Sequence, residues 1–168
     1  MPGAGKSTLG VILARTLGWR FIDTDIAIQD RTGRLLQEII DRDGTDSFLA
    51  TEEETVLSLR CSRTVIATGG SVVFSDRAME HLKSSGPVVY LKIPFDEMVQ
   101  RLNNITTRGI VLRPKESLHA MYSERVPLYE KYADITINCS GVPFEEVVGK
   151  VISEIGRVQA SPGPKTPK

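Results

Sequence analysis

Met1-Pro2-Gly3-Ala4-Gly5-Lys6-Ser7-Thr8 opens the chain, and its reading decides the fold. Gly5-Lys6-Ser7 closes the pattern G-x-x-x-x-G-K-[ST], whose first glycine would fall one position ahead of Met1. Glycines let a backbone wrap around an anion without Cβ clashes, and successive N–H groups then point inward at phosphate oxygens. Ser7 to Leu17 carries apolar residues at 9, 12, 13 and 17, one stripe at helical spacing. The positive end of that helix faces the same anion. Gly3, Ala4, Gly5, Lys6, Ser7 and Thr8 are thereby the expected nucleotide-binding residues. Lys6 reaches the β- and γ-phosphates, and the Ser7 hydroxyl ligates Mg²⁺. The plainer alternative is a glycine-rich turn that only starts a helix, for which Gly-Lys-Ser-Thr is a demanding combination.

Such a loop normally follows a buried β-strand. A central strand buries about four or five apolar side chains, each contributing about 1.5–3 kcal/mol, against a net domain stability of about 5–15 kcal/mol. The expectation is a natural start about ten residues upstream, one strand plus a start, with Met1 an internal methionine or a misplaced start. A monomer is expected, or an oligomer if the sheet is completed between chains.

Outward from the loop, short apolar runs alternate with amphipathic helices, which predicts a three-layer α/β fold on a parallel sheet. Strands are expected at 19–23, 63–67, 88–93 and 135–137. Helices are expected at 27–41, broken by Gly33, and at 46–60, 76–84, 95–102, 116–131 and 144–155. Glu52, Glu53 and Glu54 read as a solvated face. Residues 103–114 lack periodicity and read as a lid. One domain over 1–157 is expected, with a disordered Pro/Gly/Ser/Thr-rich tail over 158–168. The formal net charge of zero shows no basic nucleic-acid footprint. Cys61 and Cys139 lack metal spacing and read as buried thiols of a reducing compartment. No run reaches transmembrane length and no signal peptide precedes the loop, so a soluble cytoplasmic protein with no membrane partner is expected.

In open α/β sheets, ligands bind beyond the carboxyl ends of the strands. Asp23 and Asp25 follow Phe21-Ile22, and Gly69-Gly70 follow Val65-Ile66-Ala67. Two acids at i, i+2 can divide labour, one holding a Mg²⁺ water and the other accepting a proton from an attacking hydroxyl. Thr24 or Asp25 also reads as a helix N-cap. Gly69-Gly70 is either a tight turn or a close backbone approach to substrate. Arg108 in the lid and Arg125 in the next helix are candidate cations for a moving phosphoryl group or an anionic acceptor. His81 and His119 lack a partner pattern and read as structural or surface residues.

Gly-Ala-Gly-Lys-Ser-Thr, Phe21-Ile22-Asp23-Thr24-Asp25, Arg31-Thr32-Gly33, Thr68-Gly69-Gly70 and Glu124-Arg125-Val126-Pro127-Leu128-Tyr129-Glu130 with Ala133-Asp134 together resemble the shikimate kinase family. The resemblance runs from Met1 to about Ile155. It implies the P-loop kinase fold of nucleoside-monophosphate kinases, with five parallel strands in the order 2-3-1-4-5, the first and central one missing from this chain. It implies ATP and Mg²⁺ as cofactors, shikimate as the small-molecule substrate, and shikimate 3-phosphate, on the way to aromatic amino acids, as product. By analogy, Asp23 orders the Mg²⁺ shell and Asp25 binds and activates the hydroxyl. Lys6 and Arg108 stabilise the transferring group, Arg125 pairs with the substrate carboxylate, Gly69 and Gly70 touch substrate, and Arg101 lies against the adenine.

Three departures from the family pattern stand out. The usual Phe-Arg-x-x-Glu is Phe48-Leu49-Ala50-Thr51-Glu52, which removes a charge-assisted contact worth about 1.5–3 kcal/mol. The three-glycine run is Gly69-Gly70-Ser71, and the lid's Arg-Pro-Leu-Leu is Arg108-Gly109-Ile110-Val111. A kinase for a gluconate- or homoserine-like metabolite is the second reading. A degenerate nucleotide-binding regulatory module is the third, although it needs neither Asp25 nor Arg108.

Overall fold

Each strand is four residues long, and three of the four lead into a helix, as the alternation of apolar runs and amphipathic stretches requires. The computed structural model describes residues 1–103 and 116–160. In chain order these build α1 (Lys6–Leu17), β1 (Arg20–Asp23), α2 (Thr24–Thr32), α3 (Leu36–Ser58), β2 (Thr64–Ala67), a 3₁₀ turn (Val72–Phe74), α4 (Asp76–Ser85), β3 (Val89–Lys92), α5 (Phe95–Asn103), α6 (Leu118–Tyr132), β4 (Ile135–Asn138) and α7 (Phe144–Ala160).

β1 pairs with β2 in parallel, Phe21 opposite Val65 and Asp23 opposite Ala67. β3 pairs with β4, also in parallel, Val89 opposite Ile135. The expected parallel sheet is therefore present as two two-stranded halves. The facing edges of β2 and β3 line one cavity of about 320 Å³ together with Leu9 and Leu13 of α1 and Val151 of α7. Among the described residues no strand lies between those edges, where the resemblance puts a central one.

The main core gathers Leu9 and Leu13, Val56, Met79, Tyr90 and Leu91, Met98, Met121, Ile135 and Ile137, and Val147 and Val151. Ile12, expected on the buried stripe of α1, is 41% exposed; the stripe that packs is Leu9 and Leu13 with Leu17 at its margin. A second cluster of Ile28, Leu36, Ile39 and Phe48 joins α2 to α3.

Helix ends correct several expectations. The helix expected from Ala27 starts at Thr24, because Asp23 Oδ1 accepts the Asp25 N–H at 3.0 Å. The N-cap is thus Asp23 rather than Thr24 or Asp25. Gly33 ends α2 in the left-handed conformation. Gly44, φ 85° and ψ 167°, is not helical and divides Leu36–Ser58 into two helical stretches, in keeping with the separate helices expected up to 41 and from 46. α7 continues to Ala160, three residues into the stretch expected to be a disordered tail. Cys139 is buried as expected, whereas Cys61 is only half-buried. The lid over 103–114, with Arg108, falls outside the described residues beyond Asn103, as does the tail beyond Ala160. No helix among the described residues is long and apolar enough to cross a membrane.

Candidate active site

The phosphate loop has the backbone its glycines permit. Gly3 and Gly5 take φ of 70° and 83°, the left-handed region that costs an L-residue strain. Gly5 is the N-cap of α1 with no side-chain cap, so the orphan N–H groups of the first turn stay directed at the loop's concavity. Lys6 lies in that first turn, and its Nζ donates to the Met1 carbonyl at 2.8 Å. Arg101 of α5 donates to the Gly3 carbonyl at 3.3 Å and pairs with Glu97. It therefore braces the loop from α5.

Opposite the loop, the turn after β2 brings Gly69, Gly70 and Ser71 against α2, α3 and α6. The Gly69 N–H donates to Thr24 Oγ1 at 3.0 Å, a buried bond that ties β2's end to α2. A Cβ built on Gly69 would overlap Glu52 Oε1 and stand 2.9 Å from Asp25 Oδ1. Here the glycine is required by close approach, not by φ, because two carboxyl groups occupy the space of a side chain. A Cβ on Gly70 would meet the Arg125 guanidinium at 3.1 Å and the Tyr129 hydroxyl at 3.3 Å. Tyr129 donates to the Gly70 carbonyl at 2.6 Å. Both glycines thus lie in close approach to side chains of α2, α3 and α6.

Arg125 is 2% exposed, with its guanidinium 5.2 Å from the centroid of the Phe74 ring. An arginine buried this deeply is not a solvated surface charge. The structure therefore brings Lys6, Asp25, Gly69, Gly70 and Arg125 to one place.

Glu52 is the residue that sequence reasoning missed. Instead of lying on a solvated face it is 1% exposed, while Glu53 is half-buried and Glu54 exposed. Its carboxyl is pushed up to about 7, chiefly by burial, while a hydrogen bond from Ser71 opposes the shift. The charges that act on it are Asp25, Arg125 and Lys6, an independent sign that these side chains surround it. The signal for its burial was present: Phe48, Thr55 and Val56 lie at i−4, i+3 and i+4, and all are buried.

A family model for shikimate kinase matches residues 2–156. The chain belongs to the shikimate kinase family. It is 38% identical over 159 residues to the shikimate kinase of Thermodesulfovibrio yellowstonii, covering 93% of this chain and 91% of that one. It is 36% identical to that of Clostridium botulinum, covering 90% of each. Among solved structures, a shikimate kinase from Acinetobacter baumannii in complex with shikimate superposes with a TM-score of 0.85 at 31% identity, over 95% of this chain and 92% of that one. The Aquifex aeolicus shikimate kinase gives 0.79 at 31% identity, over 94% and 93%. For a shikimate kinase, Leu49 is the notable position. It packs against the Ile28, Leu36, Ile39 and Phe48 cluster, so this chain uses the family's arginine position for apolar packing.

The donor set fits the family's cofactors. Mg²⁺ keeps several waters and is held by substrate phosphates plus one or two protein oxygens. The Ser7 hydroxyl at the head of α1 and the Asp23 carboxylate at the end of β1 are of that kind. Among the described residues no cluster of His, Cys, Asp and Glu offers an all-protein metal cage.

Proposed function

We propose that this chain transfers the γ-phosphoryl group of ATP to a hydroxyl of shikimate, giving shikimate 3-phosphate and ADP. Its membership of the shikimate kinase family supports this, and so does the meeting of a phosphate loop with a buried Arg125 and Asp25 at one turn. The observation that carries it is Arg125. A guanidinium held 2% exposed against Phe74, beside the Gly70 backbone, suits a carboxylate acceptor and has no use in a nucleotide binder without an acceptor.

Ser7 and Asp23 would hold Mg²⁺, which would supply charge neutralisation for the phosphates. The loop N–H groups and the α1 terminus fix the β-phosphate. Arg125 pairs with the substrate carboxylate and Gly70 fixes the ring by backbone contact. The Asp25 carboxylate accepts the hydroxyl proton as the hydroxyl oxygen bonds to the γ-phosphorus and the bond to the bridging oxygen of ADP breaks. Lys6, with Arg108 by family resemblance, stabilises the charge on the transferring group. Gly3, Ala4, Gly5 and Thr8 complete the nucleotide site, Arg101 its adenine side, and Gly69 the acceptor side. One catalytic domain over 1–157, acting as a cytoplasmic monomer, completes the reading.

A coupled ADP-release assay with shikimate, gluconate and homoserine tests it. Turnover dependent on shikimate supports the proposal. Turnover only with another alcohol, or ATP binding with no acceptor-dependent turnover, contradicts it.

A further inference from the structure

Arg125 and Tyr129 stand at i and i+4 on α6, so their side chains share one face of the helix. Both reach the same point of the turn after β2. A Cβ built on Gly70 would meet Arg125 Nη1 at 3.1 Å and the Tyr129 hydroxyl at 3.3 Å. That hydroxyl donates to the Gly70 carbonyl at 2.6 Å and accepts a hydrogen bond from Arg125. A phenol oxygen can do both at once, and a charged donor on the oxygen makes its own O–H a stronger donor. Guanidinium, phenol and backbone carbonyl thus form one chain of hydrogen bonds.

We propose that Tyr129 is a positioning residue of the acceptor site: its hydroxyl, anchored on the Gly70 carbonyl, holds the Arg125 guanidinium in the orientation that receives the substrate carboxylate. This rests on the shikimate reading and deepens it. Arginine grips a carboxylate through a planar fork, so the turn of the guanidinium matters as much as its distance. A long side chain that is already held also loses less rotamer freedom when the substrate arrives.

The surroundings of Tyr129 agree. Its ring stacks on Tyr90 of β3, centroids 5.1 Å and planes 22° apart, which fixes where the hydroxyl points. The Tyr90 hydroxyl is buried and makes no hydrogen bond among the described residues, so Tyr90 contributes its ring. Burial pushes Tyr129 up to about 12, against the Arg125 charge, and the O–H therefore keeps its proton through the neutral range. Pro127 lies inside α6 between the two residues and has no N–H to give the Ser123 carbonyl. The helix ladder is one bond short there, and the bond to Gly70 ties this stretch down from outside.

The test compares the wild type with Tyr129→Phe, which keeps the ring and its stack, at saturating Mg²⁺-ATP. Two acceptors are used: shikimate, and its analogue with the carboxylate reduced to an alcohol, read as a competitive inhibition constant. In Tyr129→Phe the KM for shikimate should rise about fivefold, with kcat changing less, while the inhibition constant of the analogue stays within about twofold. A second measurement needs no turnover. Proton–nitrogen NMR of the substrate-free proteins should show separate Nη signals for Arg125, assigned by their loss in Arg125→Lys, and these should merge in Tyr129→Phe as the guanidinium turns freely. An unchanged KM, an equal weakening of both acceptors, or identical Arg125 signals in the two proteins overturns the proposal. Failure of the shikimate reading itself would appear differently, as no shikimate turnover in either protein while the Arg125 signals still differ.

Discussion

The Tyr129 hydroxyl donates to the Gly70 carbonyl at 2.6 Å, locking α6 to the turn after β2. The ring of Tyr129 stacks on Tyr90 of β3, centroids 5.1 Å apart, so the hydroxyl is aimed by packing as well as by its bond. Arg125 sits one turn earlier on the same helix, and the lock therefore sets its distance from Gly70 too. Tyr129→Phe removes a bond worth about 1 kcal/mol. The KM for shikimate should rise about fivefold in steady-state kinetics, with the KM for ATP unmoved. An equal rise in both would show that the lock serves the whole fold and not the acceptor side.

Gly69 has no room for a side chain, since a Cβ would overlap Glu52 and crowd Asp25. Gly69→Ala must push one carboxyl aside. Shikimate turnover should fall by at least tenfold while ADP binding, read by calorimetry, stays within about twofold. Loss of both would place the clash in the nucleotide loop instead.

Stability should carry the imprint of Glu52. Its folded carboxyl is raised from 4.5 to about 7, first by burial. Between those values the unfolded chain has released a proton that the folded chain keeps, so stability falls as pH rises across the window and levels off above it. The full effect is on the order of 3 kcal/mol. Urea unfolding at pH 5 and pH 8 should show the wild type losing a good part of that, and Glu52→Gln losing clearly less. Identical losses would mean that Glu52 is ionised throughout.

The cavity between β2 and β3 makes its own prediction. Backbone amides of Thr64–Ala67 and Val89–Lys92 that point away from β1 and β4 have no strand partner among the described residues. Their hydrogen exchange should be faster than that of the amides pairing β1 with β2 and β3 with β4. Uniform protection across both strands would show that the two half-sheets are joined.

What was legible in the sequence was local. Gly5-Lys6-Ser7 and the period of Leu9 and Leu13 define the loop and α1 without help from the rest of the chain. The strand ends at Asp23 and Ala67 follow from short apolar runs meeting polar residues. Glu52 was not legible in the same way, because three consecutive glutamates read as solvated and only tertiary packing selects one of them. Its place beside Phe48 and Val56 on the helix surface is a weak cue that charge outweighs. Asp23 as N-cap was hidden because Thr24 and Asp25 cap equally well by type. The choice is made where the chain leaves β1. Leu49 reads as a lost contact in the sequence and as gained packing in the structure.

The central claim is that Asp25 readies a shikimate hydroxyl for the phosphoryl group held at Lys6. Phosphorus NMR of wild-type and Asp25→Asn reactions, with equal Mg²⁺-ATP and shikimate, tests it most directly. The account predicts a phosphate-ester signal that grows with ADP in the wild type and slows by about 10²–10⁴-fold in Asp25→Asn, with nucleotide affinity kept. A wild type that yields no shikimate ester, or an Asn variant that forms it at the wild-type rate, would contradict the account.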